Sequence, residues 1–187
     1  MRRGSGRIEG EGFKVSVDLD LDGTGKADLS SGSAFLDHML NSMAKTGRLD
    51  IELRLEGRCL FWEGDVGRAL GLALDNCLKD RSGIRRYGHA EVPMDEALAD
   101  VALDFSGRPY LVMKGAFGGD RIADLDTGQI EELLEGLVDR ARMTLNLRFD
   151  GGNDHHQAES IFKALGLALR EAVARDEGGI PSTKGTL

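Results

Sequence analysis

Apolar and polar residues alternate over several short stretches of this chain and recur at helical spacing over longer ones. Alternation over residues 15–21 has the period of a strand with one face on the core. Apolar residues then recur every three or four positions over 33–45, which predicts a helix. A strand over 51–55 and a helix over 65–78 complete this first series.

The second half of the chain repeats the series. Its strands are predicted over 101–105, 110–112 and 145–149, and its helices over 126–142 and 156–174. The hexapeptide Ala-Leu-Gly-Leu-Ala-Leu occurs at 69–74 and again at 164–169, which indicates an internal duplication over about half of the 187 residues. Because each half has adjacent alternating strands and only two helices, we predict an α+β fold. Each roughly four-stranded sheet, antiparallel or mixed, is backed on one face by two helices.

These patterns also give the expected boundaries of the units. We expect residues 1–12 to form a flexible N-terminal segment, because glycine is concentrated there. Residues 13–88 and 89–176 are expected to form the two half-domain repeats, and residues 177–187 a C-terminal tail.

Composition narrows the possible functions. A formal net charge of -8 argues against nucleic acid as a partner, because phosphate-backbone sites need clustered Lys and Arg. No apolar run reaches the roughly 18 to 20 residues that span a bilayer, and the start of the chain has no apolar signal core, so we expect a cytoplasmic protein with no membrane association. Cys59 and Cys77 lack metal-type spacing and are predicted to be buried thiols.

Candidate metal-binding chemistry is concentrated in Asp154-His155-His156-Gln157-Ala158-Glu159. At the start of a helix, residues three and four apart share a face, so either histidine can project beside Glu159. Imidazole nitrogen together with carboxylate oxygen suits Mn, Fe, Zn or Ni. Adjacent histidines are also found as ordinary polar surface, and this alternative remains open from the motif alone.

A third histidine lies on the first predicted helix. His38 stands in an otherwise apolar stretch, and a lone helical histidine is usually a core residue whose hydrogen bonds are satisfied within the fold. Asp37 beside it could orient a ligating imidazole. At the repeat offset of 94 residues, the position of His38 corresponds to Glu132 in the second half.

Six spaced motifs together resemble the imidazoleglycerol-phosphate dehydratase family, in order from about residue 11 to the C-terminus. They are Phe35-Leu36-Asp37-His38-Met39-Leu40, Gly83-Ile84-Arg85-Arg86-Tyr87-Gly88, Pro93-Met94-Asp95-Glu96-Ala97-Leu98, Ser106-Gly107-Arg108-Pro109-Tyr110, Asn153-Asp154-His155-His156 and Pro181-Ser182-Thr183-Lys184-Gly185. The resemblance implies duplicated half-domains like domain 2 of ribosomal protein S5. It also implies a 24-subunit homo-oligomeric shell with two Mn(II) ions per active site at subunit boundaries.

The implied activity is that of a hydro-lyase of histidine biosynthesis, which dehydrates imidazoleglycerol phosphate to imidazoleacetol phosphate. On this resemblance Arg86, Arg108, Ser182 and Lys184 bind the small phosphorylated imidazole substrate, largely through its phosphate. Guanidinium, hydroxyl and ammonium donors suit a dianion. Glu11 matches the family's substrate-contacting Glu to within one residue and is the candidate catalytic acid or base, with Glu9 close by.

The sequence departs from the family at one set of ligands. Members carry a His-His-x-x-Glu motif in each half, but the first-half segment 57–65 contains no histidine, and Thr46 and Glu132 replace two further family histidines. We therefore expect one tightly bound Mn(II) per subunit rather than two. Its ligands would come from His38, His155 or His156, and Glu159.

Several alternatives remain open from sequence. Oxygens for a second, weaker ion could come from Glu132, Glu63 or Asp65. Phe61 and Trp62 could fill a vacated metal cavity or serve as ordinary core residues. The protein could also be a degenerate paralogue that forms a shell or binds a phosphorylated ligand without turnover, or an enzyme acting on another phosphorylated substrate.

Overall fold

The computed structural model describes residues 1–57, 62–179 and 182. The first half contains β1 (Arg3–Gly10), β2 (Phe13–Asp20), β3 (Ala27–Ser30), α1 (Ala34–Gly47), β4 (Asp50–Gly57) and α2 (Glu63–Leu78). The second contains β5 (Tyr87–Met94), β6 (Ala97–Asp104), β7 (Tyr110–Lys114), β8 (Arg121–Ile122), β9 (Leu125–Asp126), α3 (Thr127–Ala141), β10 (Thr144–Asp150) and α4 (Asp154–Ala172). Every helix predicted from periodicity is present.

The two halves have the same sheet topology. The first sheet has the order β1-β2-β4-β3 and the second the order β5-β6-β10-β7. In the first sheet β3 pairs in parallel with β4, and in the second β7 pairs in parallel with β10, while the other pairs of both sheets are antiparallel. The predicted α+β fold, mixed sheets and internal duplication are confirmed. Among the described residues, the β8–β9 hairpin has no counterpart in the first half.

The four helices lie between the two sheets. α2 packs on β1 and β2 and against α3, while α4 packs on β5 and β6 and against α1. Each sheet therefore buries one face, which explains the alternation along β2, where Val15 and Val17 are buried and Asp18 is exposed. None of the helices in the described ranges is both long and apolar enough to cross a membrane.

The N-terminal residues differ from the expected flexible segment, because residues 3–10 form β1 and pair with β2 along their full length. The glycines that suggested a loose start have a packing role. A Cβ on Gly4 or Gly6 would overlap the carbonyl oxygens of Ala73 or Ala69 on α2. Gly88 on β5 meets Ala168 of α4 in the same way. Glycine here permits close strand–helix contact.

The repeated hexapeptide contributes a close helix–helix contact in each half. Its glycine in the first half, Gly71, lies against the backbone of α3 at Leu137. Its glycine in the second half, Gly166, lies against the backbone of α1 at Met43. The repeat therefore reflects a shared packing requirement, since any side chain at either position would separate the helices.

Cys77 is a buried thiol, as predicted. Burial raises its pKa to about 12, so the thiol is protonated at neutral pH. Cys59 lies outside the described residues.

Two glycines on α3 provide a matched test of this packing. A Cβ on Gly136 would overlap the carbonyl oxygen of Gly64 on α2, whereas one on Gly128 would meet nothing within 4 Å. We expect Gly136→Ala to lower the free energy of unfolding by about 1–3 kcal/mol, the usual cost of overpacking. Gly128→Ala should be neutral or slightly stabilising, because alanine favours helix. Urea denaturation measures both; equal effects would contradict the close crossing.

Candidate active site

Three side chains from the two halves of the chain form the only group of potential metal ligands found among the described residues. His38 comes from α1, and His155 and Glu159 come from α4, with their ligand atoms within 4.8 Å of one another. The Nε2 atoms of both histidines lie 3.3 Å from Oε2 of Glu159. The predicted association of His38 with the second-half motif is therefore present in the fold.

The N-cap of α4 places its two ligands. The Asn153 side chain accepts hydrogen bonds from the backbone N–H groups of His155 and His156, which fixes the start of the helix. His155 then lies in the first turn, and Glu159 lies four residues later on the same face.

The start of α1 is fixed by a residue from the other half. Asp124, in the β8–β9 hairpin, accepts hydrogen bonds from the Ser33 hydroxyl and from the backbone N–H groups of Ala34 and Phe35. The Phe35 ring meets the His155 ring edge-on, with centroids 5.2 Å apart. The hairpin thus holds the first turn of α1, and with it His38, beside α4. Periodicity did not single out Asp124, because its partners are distant in sequence.

Glu159 is buried and has a cationic partner as well as the histidines. Lys163 Nζ lies 2.9 Å from its Oε1 atom. Burial alone would raise the pKa of Glu159, but the hydrogen bond and charge of Lys163, together with His38, lower it overall. The carboxylate is therefore held in its charged, ligating form. Lys163 was not identified from the sequence, although it lies one helical turn after Glu159.

His156 does not join the cluster. Consecutive helical residues point about 100° apart, so His155 and His156 cannot face the same partner. Nδ1 of His156 lies 2.8 Å from Oε2 of Glu96, and this hydrogen bond raises the pKa of the imidazole. Within this chain His156 therefore lies beside Glu96 and outside the His38–His155–Glu159 group, and its role as a metal ligand stays a prediction.

The His38–His155–Glu159 cluster fits a divalent transition ion. Ligand atoms at about 2.0–2.2 Å from one ion cannot be more than about 4.4 Å apart; the two 3.3 Å separations satisfy that limit, and the two imidazole nitrogens, within 4.8 Å of each other, need at most a small adjustment of the exposed His38 side chain. The two imidazoles and one carboxylate are donors that such ions accept. The His38 side chain is 46% exposed, so further ligands can approach from solvent.

The internal duplication makes the α2–α3 crossing the counterpart of the α1–α4 crossing, but its side chains are different. Glu132 stands at the position of His38, Gly64 at that of Glu159 and Arg68 at that of Lys163. Arg68 and Glu132 line a surface groove of about 480 Å³, and Arg68 forms an ion pair with Asp65 at 2.8 Å. No second ligand group forms there among residues 1–57, 62–179 and 182. Trp62 is half-buried and packs against the core, which favours the core interpretation, while Phe61 lies outside the described residues.

The four predicted phosphate-binding residues differ in how the structure places them. Arg86 is held by Asp104 through two hydrogen bonds of 2.6 and 3.0 Å. Arg108 is exposed on the loop after β6, where the Ser106 hydroxyl forms hydrogen bonds with the backbone carbonyl and N–H groups of Arg108. Ser182 is half-buried, and Lys184 lies outside the described residues.

The C-terminal segment is joined to the loop that carries Arg86. The N–H of Gly83 donates to the carbonyl of Gly179, and the N–H of Asp176 donates to the carbonyl of Gly83. The described first residues of the predicted tail, 177–179, therefore lie at the same end of the molecule as Arg86.

The His38–His155–Glu159 cluster and Arg86 lie at opposite ends of α4. The backbone N–H of Arg86 donates to the carbonyl of Ala172, in the last turn, while His155 lies in the first turn. At 1.5 Å per residue, these turns are about 25 Å apart. Glu11 is exposed in the turn between β1 and β2 and contacts neither group in the described structure.

Comparison with known proteins is decisive for the family. A family model of imidazoleglycerol-phosphate dehydratase matches residues 31–169. This chain belongs to the imidazoleglycerol-phosphate dehydratase family. It is 47% identical to imidazoleglycerol-phosphate dehydratase of Methanothermobacter thermautotrophicus over 100% of this chain and 98% of the relative. It is 49% identical to that of Paracidovorax citrulli, over 93% of this chain and 87% of the relative.

Solved structures give the same result. The crystal structure of imidazoleglycerol-phosphate dehydratase from Staphylococcus aureus has a TM-score of 0.83 at 31% identity, over 92% of this chain and 99% of the other. The crystal structure of IGPD from Pyrococcus furiosus in complex with (S)-C348 has a TM-score of 0.84 at 30% identity, over 97% and 99%. The likeness covers both half-domains.

Glu63 provides a pH-dependent test of the α2–α3 side. It is 3% exposed, its Oε2 atom has no hydrogen-bond partner, and burial raises its pKa, with Glu132 and Asp126 adding to the effect. The native state therefore holds a proton that the unfolded chain has already released above the ordinary pKa of a glutamate. Stability falls as the pH rises from there through the raised pKa.

We expect Glu63→Gln to gain stability relative to the unmodified protein as the pH rises from 4.5 to 8, because the amide does not titrate. Urea denaturation at several pH values measures the difference, with Glu131→Gln, an exposed glutamate of α3, as control. A difference that is constant with pH would contradict the buried, protonated state.

Proposed function

We propose that this protein removes water from imidazoleglycerol phosphate to give imidazoleacetol phosphate, as a hydro-lyase of histidine biosynthesis. The observation that carries the proposal is the His38–His155–Glu159 cluster, built from both half-domains of a chain that belongs to the dehydratase family. The relatives named above are called imidazoleglycerol-phosphate dehydratases, and this chain matches each of them over most of its length. The degenerate alternative has no such support.

The side chains of the cluster have a clear division of roles. His38, His155 and Glu159 would hold one divalent ion, which we propose to be Mn(II). When bound, such an ion supplies Lewis-acid stabilisation of negative charge on a substrate imidazole. Lys163 keeps Glu159 charged, and the Phe35 ring limits the movement of His155. These contacts preorganise the donors before an ion arrives.

The anionic end of the substrate is assigned to the cationic group. Arg86, Arg108, Ser182 and Lys184 are proposed to bind the phosphate, since paired guanidinium donors suit a dianion. Glu11 is proposed to transfer a proton, and its exposed turn leaves it accessible to a substrate bound at another surface.

One copy of the chain is not expected to form a whole site. The cluster and Arg86 are separated by most of the length of α4, about 25 Å. A three-carbon chain between an imidazole and a phosphate is far shorter than that. We therefore propose that the ring is bound by one subunit and the phosphate by another, within a homo-oligomer that we take to be the family's 24-subunit shell.

The number of bound ions tests the one-ion proposal. Protein purified without chelator and then equilibrated with Mn(II) should hold one tightly bound ion per subunit. His38→Ala should weaken that ion by more than the roughly 10- to 100-fold that loss of a supporting partner costs. His89→Ala, an exposed histidine that pairs with Asp100, is the control and should retain the ion. Two tightly bound ions per subunit in metal analysis would refute the proposal.

Turnover tests the activity itself. The chain should restore growth of a histidine auxotroph that lacks its own dehydratase, and the purified protein should release imidazoleacetol phosphate from imidazoleglycerol phosphate. His155→Ala should reduce kcat/KM by about a hundredfold or more, because a metal-derived contribution of several kcal/mol is lost. A protein that folds and binds Mn(II) but neither complements nor turns over would favour the degenerate alternative.

A further inference from the structure

Arg86 is held more firmly than a surface arginine. Its side chain is 13% exposed, and its Nε and Nη2 atoms lie 2.6 and 3.0 Å from the two carboxylate oxygens of Asp104. Its guanidinium carbon also lies 4.7 Å from the centre of the Tyr87 ring. A bidentate carboxylate contact fixes the plane of a guanidinium, and a ring face restricts it further.

The backbone at Arg86 is strained, and two hydrogen bonds maintain it. The residue has a φ of 74°, in the left-handed region that non-glycine residues rarely adopt. Its N–H donates to the carbonyl of Ala172 and its carbonyl accepts from the N–H of Phe105. Strain of this kind persists where the surroundings over-determine a conformation, and it is concentrated at functional sites. In this loop before β5, the left-handed backbone conformation directs the Arg86 side chain toward Asp104.

We infer that Asp104 is a positioning residue for substrate binding, which acts by orienting the guanidinium of Arg86 toward the phosphate. The inference deepens the proposed function and rests on it. Asp104 ends β6 directly opposite Tyr87, the first residue of β5. Its carboxylate thus reaches Arg86 across the sheet edge without contacting the His38–His155–Glu159 cluster.

A neighbouring pair provides the control for a merely structural role. Asp100 lies on the same strand and the same face as Asp104, and its carboxylate pairs with His89 of β5 at 2.8 Å. Asp100→Asn therefore removes a cross-strand pair of the same kind, but its partner His89 is not a predicted substrate-binding residue. A general effect of weakening the β5–β6 surface would appear in both variants.

The experiment is a double-mutant cycle on Asp104 and Arg86. Binding of imidazoleglycerol phosphate to the assembled, Mn(II)-equilibrated protein is measured by calorimetry, with inorganic phosphate as a second probe, and KM and kcat are measured separately. Asp104→Asn should weaken binding of both probes and raise KM by about 10-fold or more, the effect of losing a charge-assisted contact, with a much smaller change in kcat. In the Arg86→Ala background, Asp104→Asn should have little further effect.

Each of the following results would overturn the inference. They are unchanged binding in Asp104→Asn, an equal loss in Asp100→Asn, and a loss that is undiminished in the Arg86→Ala background. Unchanged binding in Arg86→Ala would also overturn it, because the inference assumes that Arg86 binds the phosphate. If Asp104→Asn does not assemble, Asp104→Glu displaces the carboxylate by one methylene and should show the same pattern.

The cycle also separates the two proposals. Absence of turnover in the unmodified protein would defeat the proposed function, while the calorimetric series would still decide the role of Asp104.

Discussion

The close contact between α1 and α4 is the constraint on which the rest of the structure depends. Gly166 lies directly against the backbone of α1 at Met43, and the Thr46 hydroxyl donates to the carbonyl of Lys163. These contacts fix the spacing and register of the two helices. Because His38 lies on one helix and Glu159 on the other, their 3.3 Å separation is a consequence of backbone packing. The candidate metal site is therefore formed by helix packing between the two duplicated halves.

The corresponding crossing of α2 and α3 shows how the two halves diverged. The contact of Gly71 with Leu137 repeats that of Gly166 with Met43. One turn earlier, however, Gly67 lies against the backbone at Leu133, where α4 has the buried Phe162 at the matching position. Among the described residues, the α2–α3 crossing therefore differs from the α1–α4 crossing in backbone contact as well as in residue type. Restoring histidines to it would not by itself recreate the geometry of the α1–α4 centre.

Periodicity was sufficient to predict the helices and central strands, because each buries one face and so carries a regular pattern. It did not find β1, since the glycines that allow that strand to touch α2 resemble those of a loop. Of the candidate site, residue type and helical spacing identified His38, His155 and Glu159. Sequence could not separate His155 from His156, because the choice depends on which way the first turn of α4 faces. Asp124, Lys163 and Asp104 act through partners that only the folded chain brings near them.

The two ends of α4 connect these observations to the chemistry. The end with His155 carries the candidate metal ligands, and the end with Ala172 holds the strained backbone of Arg86. Each end is rigid for a separate reason: the Asn153 and Asp124 contacts at one, and the Asp104 carboxylate at the other. On the proposed function, one substrate is too short to reach both ends of α4, so a second copy of the chain would complete each site and the oligomer would set the distance between ring and phosphate. In this proposal, packing within a subunit positions the donors, and packing between subunits would determine the length of the molecule that they accept.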